Sequence, residues 1–319
     1  GRLASRYRRR LVLESLEPRM VLAAFTFTPA VDAVVADRDW DGVFETVDAA
    51  GTSITDRWLQ STGIGEERGV FEFNLAGVPA GTTLNSAKIG FCTTSYTTPP
   101  DPQLVFRAYA GDGAVTTADG AGAAVWAGTG TVAAVACLEF SLDAGVIAPL
   151  LGGWAGIRLE NTALNAPWIS LASVEAVGVA GPRLILDYET LTVGLAPTSI
   201  AENGGTVTGT VTRSNADRSA PLTVALSSSD PSEAAVPAFV TIPADRTSAT
   251  FTVLAVDDAL RDGPQAVTIS ASVDGYVGGS RTLTVTSGKS SRVVPSGTQP
   301  RSTSTQPRPS ARSNGVSTR

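Results

Sequence analysis

Between residues 190 and 286 apolar and polar side chains alternate almost without interruption. The segments are "TLTVGLA", "TVTGTVT", "LTVALSS", "VPAFVTI", "ATFTVLAV", "AVTISAS" and "RTLTVT", with turn residues between them. Successive side chains of an extended strand point to opposite faces, so a period of two marks a strand with one face buried and one in water. Such segments must pair with one another to satisfy their backbones, and two packed layers bury the apolar faces. This pattern constrains the chain more than any other feature.

About seven short strands in roughly a hundred residues predict an immunoglobulin-like sandwich over 190–286. Residues 25–189 read less regularly but in the same manner. Candidate strands are "FTFTP", "GVFEFNL", "AKIGFCT", "LVFRAYA", "CLEFSLD", "AGIRLEN" and "RLILDYE", punctuated by "GVPAGTT" and "AGDGA". The length suits a jelly-roll-like β-sandwich. "AGVIAPLLGG" is the one short helix candidate. The fold class is therefore all-β, a jelly-roll-like sandwich followed by an immunoglobulin-like one. The segment 287–319, rich in Ser, Thr, Pro and Arg, has almost nothing to bury and is expected to be disordered, as are the first residues of the chain.

The 319 residues contain no histidine, which excludes a Ser-His-Asp relay, a Cys-His pair and any His-ligated zinc. Charge is unevenly placed. Twelve of the 24 basic residues, but only two of the 30 acidic ones, fall in 1–24 and 287–319, which leaves a strongly acidic middle. That middle repels nucleic acid and anionic lipid and favours cations. No apolar run reaches the roughly 20 residues of a membrane span. A hydrolase built on paired carboxylates such as Glu66, Glu67 or Glu72 is discounted. The first two sit in a turn, and Glu72, flanked by core positions, reads as facing water.

Two elements of the first region carry candidate chemistry. Cys92 and Cys137 fall on matching phases of "AKIGFCT" and "CLEFSLD", which makes a disulfide possible if those strands are neighbours; two unpaired half-buried thiols are the other reading. The run "DRDWDGVFETVD" places Asp37, Asp39 and Asp41 at alternate positions before Gly42. Calcium takes six to eight oxygen ligands, and this spacing aims three carboxylates at one point. In an EF-hand-type loop the seventh position, here Val43, gives a backbone carbonyl, and the twelfth, here Asp48, closes the cage. The flanks are strand-like, not helical. The two readings are a calcium loop within a β-protein and an acidic surface hairpin.

Three resemblances add to this. "LEPRMVL", residues 16–22, resembles the short LEPRxLL sorting motif of large bacterial surface proteins, which implies export with processing near Ala23–Ala24. "ERGVFEFNLAGVPAGTTLNSAKIGF" is similar to DNRLRE-type β-sandwiches of secreted bacterial proteins, some relatives of which bind polysaccharide. "TSIAENGGTVTGTVTRS" with "TVLAVDDALRDGPQAVTISAS" resembles the Calx-beta family across nearly all of 190–286. That resemblance implies a calcium site using Glu202, Asp257, Asp258 and Asp262. Gln265 and Ser287 stand where further acids belong, so this second site is expected to be the weaker one.

The division read from the sequence is an export segment over 1–24, a first sandwich over 25–189, a Calx-beta-like sandwich over 190–286 and a tail over 287–319. The function expected is a non-catalytic, exported surface or matrix protein stabilised by Ca2+, with extracellular polysaccharide or other surface proteins as partners. The alternative is a set of ancillary carbohydrate-binding modules. All five tryptophans, Trp40, Trp58, Trp126, Trp154 and Trp168, precede residue 190. For Trp126 the sequence leaves core and platform equally open.

Overall fold

The computed structural model describes residues 24–39, 41, 43–49, 65–97, 101–162, 168–214, 217–257 and 263–286, and the backbone alone of 53–59. The expected export segment up to residue 23 and the tail lie outside the described residues, as do Trp40, Gly42, Asp258 and Asp262 and the side chain of Trp58.

Strand predominates among the described residues. Twelve strands precede residue 190: β1 (Phe25–Phe27), β2 (Val31–Asp37), β3 (Thr46–Ala49), β4 (Ser53–Leu59), β5 (Gly65–Asn74), β6 (Leu84–Tyr96), β7 (Gln103–Ala110), β8 (Val125–Thr131), β9 (Cys137–Leu142), β10 (Trp154–Asn161), β11 (Trp168–Ala172) and β12 (Arg183–Tyr188). Among the described residues two short α-helices interrupt them, α1 (Thr117–Ala121) and α2 (Ala144–Ile147), and a 3-10 turn (Ala148–Leu150) follows the second, both within the expected "AGVIAPLLGG". Helix α1 was not foreseen. Five residues, TADGA, are too few to show a helical period, and a capping box of Thr116 and Asp119 holds them.

One layer carries β1, β12, β6 and β9, and the other β3, β2, β5, β10, β7 and β8. The long β6 pairs with β12 and β9 along its first half and with β11 near its end, so the layers join at one side. Between them lies a core that includes Phe71, Phe73, Ile89, Phe91, Phe106 and Ile157, each fully buried. Phe71 and Phe73, like Ile157 and Leu159, sit at alternate positions, as the period of two requires.

Nine further strands follow: β13 (Leu191–Ala196), β14 (Ser199–Ala201), β15 (Thr206–Arg213), β16 (Leu222–Ser228), β17 (Ala234–Ala235), β18 (Phe239–Ile242), β19 (Ser248–Ala255), β20 (Gln265–Ser272) and β21 (Gly279–Thr286). They form sheets in the orders β13-β15-β19-β17 and β14-β21-β20-β16-β18, packed over a separate Val- and Ile-rich core. All seven alternating segments of the sequence are strands here. The two three-residue-or-shorter strands, β14 and β17, carry too few positions to alternate visibly.

Buried polar residues tie the two sandwiches together. Glu189, 7% exposed, accepts from Asn85 Nδ2 at 3.0 Å on the first side and from Ser214 Oγ at 3.1 Å on the second. Val277 of the second unit packs against the first core.

Asp32, on β2, is 5% exposed and accepts from the backbone N–H of Val174 at 2.8 Å. Burial pushes its carboxyl up to about 6, partly offset by the Val174 N–H and reinforced by Glu175. A raised acid pKa means the folded state holds the proton more tightly, so stability falls as pH rises from 3.8 through about 6. Asp32→Asn mimics the protonated form. Its gain over wild type is expected to reach at most about 3 kcal/mol at pH 7.5, to be about half that at pH 5 and to vanish below pH 4. Thermal melts of both proteins across this range check it; a pH-independent difference would contradict it.

Candidate acidic-loop metal site

The hairpin of β2 and β3 turns through 38–45. Asp37 ends β2 and is 2% exposed, whereas Asp39, Asp41 and Glu45 are exposed. The loop folds inward through its own side chains. Asp41 N–H donates to Asp39 Oδ1 at 3.3 Å, Val43 N–H to Asp41 Oδ1 at 2.8 Å, and Arg38 N–H to Glu45 Oε2 at 3.1 Å. Glu45 N–H closes the turn onto the Ala36 carbonyl at 3.0 Å. Gly65, at φ +85°, lies against the turn; a Cβ there would fall 1.9 Å from the Asp37 carbonyl oxygen, so only glycine fits.

The result is a carboxylate cluster. One oxygen from each of Asp37, Asp39, Asp41 and Glu45 lies within 4.8 Å of all the others. Calcium–oxygen bonds of 2.3–2.6 Å place ligands on opposite sides of one ion about 5 Å apart, and hard carboxylate oxygens are the donors calcium prefers. The set fits that ion in spacing and chemistry. The structure brings Asp37, Asp39 and Asp41 together with Glu45 and leaves the expected Asp48 outside the group. Asp48 lies on β3, opposite Val34, where Arg38 Nη2 pairs with it. In an EF-hand the loop runs into a helix that brings the twelfth residue back. Here a strand begins at Thr46 and carries Asp48 away at about 3.4 Å per residue. Val43, expected as a carbonyl ligand, is 57% exposed and contributes the N–H that orders Asp41.

Phe44, the apolar eighth position, anchors the loop. It is 6% exposed and packs with Val35 and Val70 on the outward face of the sheet, against Gly120 of α1, with the Arg68 guanidinium 4.6 Å from its ring centre. Helix α1 covers this face. Arg158 Nη1 donates to the carbonyls of Asp119 and Gly122 at 2.9 and 3.1 Å, and Arg68 Nη1 donates to that of Gly120. Glu160 binds Arg158 and Arg107, each at 2.8 Å. Burial raises its carboxyl, but Arg107, Arg68 and Arg158 outweigh burial and hold it below the ordinary glutamate value.

Glu72 corrects the sequence reading. It does face away from the core, yet it is 0% exposed, because the turn 111–113 closes over it. Its Oε2 accepts from the N–H groups of Asp112 and Gly113 at 3.0 and 2.6 Å. Burial raises its carboxyl and, more strongly, the neighbouring Tyr109 hydroxyl. Glu72 is a buried capping group of that turn.

Cys92 and Cys137 stand opposite each other on β6 and β9, with Cα atoms 3.8 Å apart, and are joined as a disulfide. At the expected second calcium site Glu202 is 1% exposed and Asp257 is exposed; Asp258 and Asp262 are outside the described residues. Gln265 opens β20 opposite Val285. The sequence reading missed Glu233, 6% exposed, whose carbonyl accepts from Val256 N–H beside the start of the Asp257 loop. Among the described residues the hairpin cluster is the one group of three or more acids close enough to share an ion.

No protein-family model and no curated protein matches the chain. Among solved structures, an apo-form Calx CBD1 domain is similar at 16% identity and TM-score 0.25, covering 31% of this chain and 99% of its own. The E. coli chaperone DraB is similar at 13% identity and TM-score 0.23, over 30% of this chain and 53% of DraB. A β-glucuronidase from glycoside hydrolase family 2 is similar at 10% identity and TM-score 0.23, covering 82% of this chain but only 30% of the glucuronidase. At TM-scores this low the likenesses assign neither family nor function. The class defined by the chain itself is an all-β protein of sandwich architecture.

Proposed function

We infer that the chain is a non-catalytic, exported surface or matrix protein whose first sandwich binds calcium at the β2–β3 loop. The observation that carries this reading is the mutual approach of the Asp37, Asp39, Asp41 and Glu45 carboxylates within 4.8 Å. Four carboxylates at such spacing repel one another unless a cation neutralises them. Bound there, calcium would join β2 to β3 and, through Phe44, brace α1 against the sheet. The Cys92–Cys137 disulfide supports an oxidising location outside the cytosol. The described residues include no helix long and apolar enough to cross a membrane. Adhesion or structural interaction is the role such a braced module suits.

Calorimetric titration of the chelator-stripped protein with calcium tests the site. The reading expects one site, lost in Asp39→Asn/Asp41→Asn and weakened in Glu45→Gln, with Asp48→Asn close to wild type. Loss of binding in Asp48→Asn with retention in Glu45→Gln would restore the loop geometry expected from the sequence.

A further inference from the structure

Strands β13–β21 carry almost no charge. Among the described residues their charged side chains are Arg213, which is buried, and Arg281. The strands of the first sandwich, by contrast, hold Glu66, Glu67, Lys88, Arg107, Glu139 and Arg183 among others. Charge on an edge strand is a common guard against pairing with another chain. Its absence matters most on β18, which ends its sheet with β16 on one side and no described strand on the other. The remaining edges are less open. β17 has two residues and β14 three, and β13 is tied down at its start, where Leu191 N–H donates to the Val277 carbonyl at 2.8 Å.

The ladder fixes which groups of β18 face outward. Leu226 N–H of β16 donates to the Ala238 carbonyl at 2.9 Å. Bonded pairs alternate along an antiparallel ladder, so Val240 and Ile242 turn their N–H and C=O groups to β16, whereas Phe239 and Thr241 turn theirs away from the sheet. The side chains of the same two residues share the outer face: Ile242 is buried, while Phe239 is 64% exposed and Thr241 is exposed. An added strand must match both the bonding groups and the faces. A second copy running antiparallel does so with Val240 opposite its own counterpart and Phe239 opposite Thr241. Each outward N–H then donates to a carbonyl of the other copy. The two phenyl rings sit diagonally across the axis, at the roughly 7–8 Å that aromatic side chains can bridge.

Charge and proline placement favour a second copy over a foreign strand. The chain is acidic, with a net charge of −6, so its copies repel one another over most of their surface. At β18 they meet without that penalty, and Asp245 and Arg246 just beyond it are of opposite sign. Pro237 and Pro243 continue the outward row of Phe239 and Thr241 at its two ends, and proline has no N–H to extend a ladder. In the register above, each proline of one copy stands opposite the other proline of the second, so no N–H is left without an acceptor. A two-fold pair also closes on itself and leaves no edge from which a fibre could grow. We propose that the β18 edge pairs antiparallel with the same edge of a second copy, giving a two-fold dimer with one sheet continuous across it. The proposal is independent of the calcium loop.

Sedimentation velocity of the full chain over a wide range of concentration, in calcium and in chelator, tests it. The wild type should dimerise in both media. Phe239→Asp sets two carboxylates across the axis, and Thr241→Pro removes an outward N–H while leaving the bonds to β16 intact. Each should weaken the dimer about tenfold or more. Leu254→Asp, at an apolar residue 51% exposed on the other sheet, should leave it unchanged. If circular dichroism shows Thr241→Pro unfolded, Thr241→Lys takes its place. Amide exchange supplies a second readout: in the dimer the N–H groups of Phe239 and Thr241 should exchange more slowly than at dilution, with those of Val240 and Ile242 unmoved. A wild type that stays monomeric overturns the proposal and leaves the edge to a foreign strand. So does a dimer that survives Phe239→Asp and Thr241→Lys, one lost equally in Leu254→Asp, or one that requires calcium, which would move the contact to the β2–β3 loop.

Discussion

Replacing Arg213 by methionine should destabilise the second sandwich by about 3–5 kcal/mol. Arg213 ends β15 and is 2% exposed. Its guanidinium donates to four carbonyls: Arg246 at 2.9 Å, Ala220 at 3.0 Å, Arg218 at 3.3 Å and Pro243 at 3.4 Å. It therefore staples the 218–220 and 243–246 turns to the strand between them. Methionine keeps much of the volume but removes four hydrogen bonds from a charged donor, a kind worth about 1.5–3 kcal/mol each, while the carbonyls of Arg218 and Pro243 keep the N–H groups of Asp245 and Arg246. Lysine keeps the charge without the planar fork and should fall between the two. The tryptophans make the measurement selective. All five precede residue 190, so their fluorescence follows the first sandwich, whereas far-ultraviolet circular dichroism follows both. In urea, Arg213→Met should move the dichroism transition well ahead of the fluorescence transition. A loss below about 1 kcal/mol would mean that the turns are held by their own backbone bonds.

The second large effect runs the other way round. The Cys92–Cys137 bridge closes a loop of sequence separation 45. Loop-closure entropy assigns such a cross-link about 4 kcal/mol. Cys92→Ala/Cys137→Ala should therefore bring the fluorescence transition forward by that amount and leave the second sandwich nearly unmoved. The strands remain paired through Phe91↔Leu138 and Ile89↔Phe140, so the fold survives the loss. A variant whose fluorescence transition matches wild type would show that β6 and β9 hold the loop without the bridge.

What the sequence discloses depends on how local the determinant is. Alternation is local, and the seven strands of 190–286 were legible because each has one dry and one wet face. The cysteine phase was legible for the same reason, although only the sheet order makes Cys92 and Cys137 neighbours. The failures are all non-local. Helix α1 is five residues with no period, yet it converts the outward face of β5 and β10 into a second buried layer. That layer is why Arg158 is 5% exposed, and the turn 111–113 beside it is why Glu72, facing away from the core, is nevertheless dry. Phe44 was legible as an apolar position in a loop, but not as the plug that fits beside Gly120. Glu45, and not the expected Asp48, lies with the three aspartates because a strand and not a helix follows the loop. A tryptophan in a glycine-rich strand gives no sign of its face until Ala127 is seen to be buried.

The calcium site is the central claim, and a thermal melt tests it most directly. The chain would be melted in calcium at about a hundredfold excess over Kd and again in chelator, followed by tryptophan fluorescence. An ion that binds only the folded state contributes RT ln(1 + [L]/Kd), about 2.7 kcal/mol at that excess. The account predicts a rise in Tm of several degrees for the wild type and none for Asp39→Asn/Asp41→Asn. A rise that persists in the double variant, or no rise in the wild type, would contradict it.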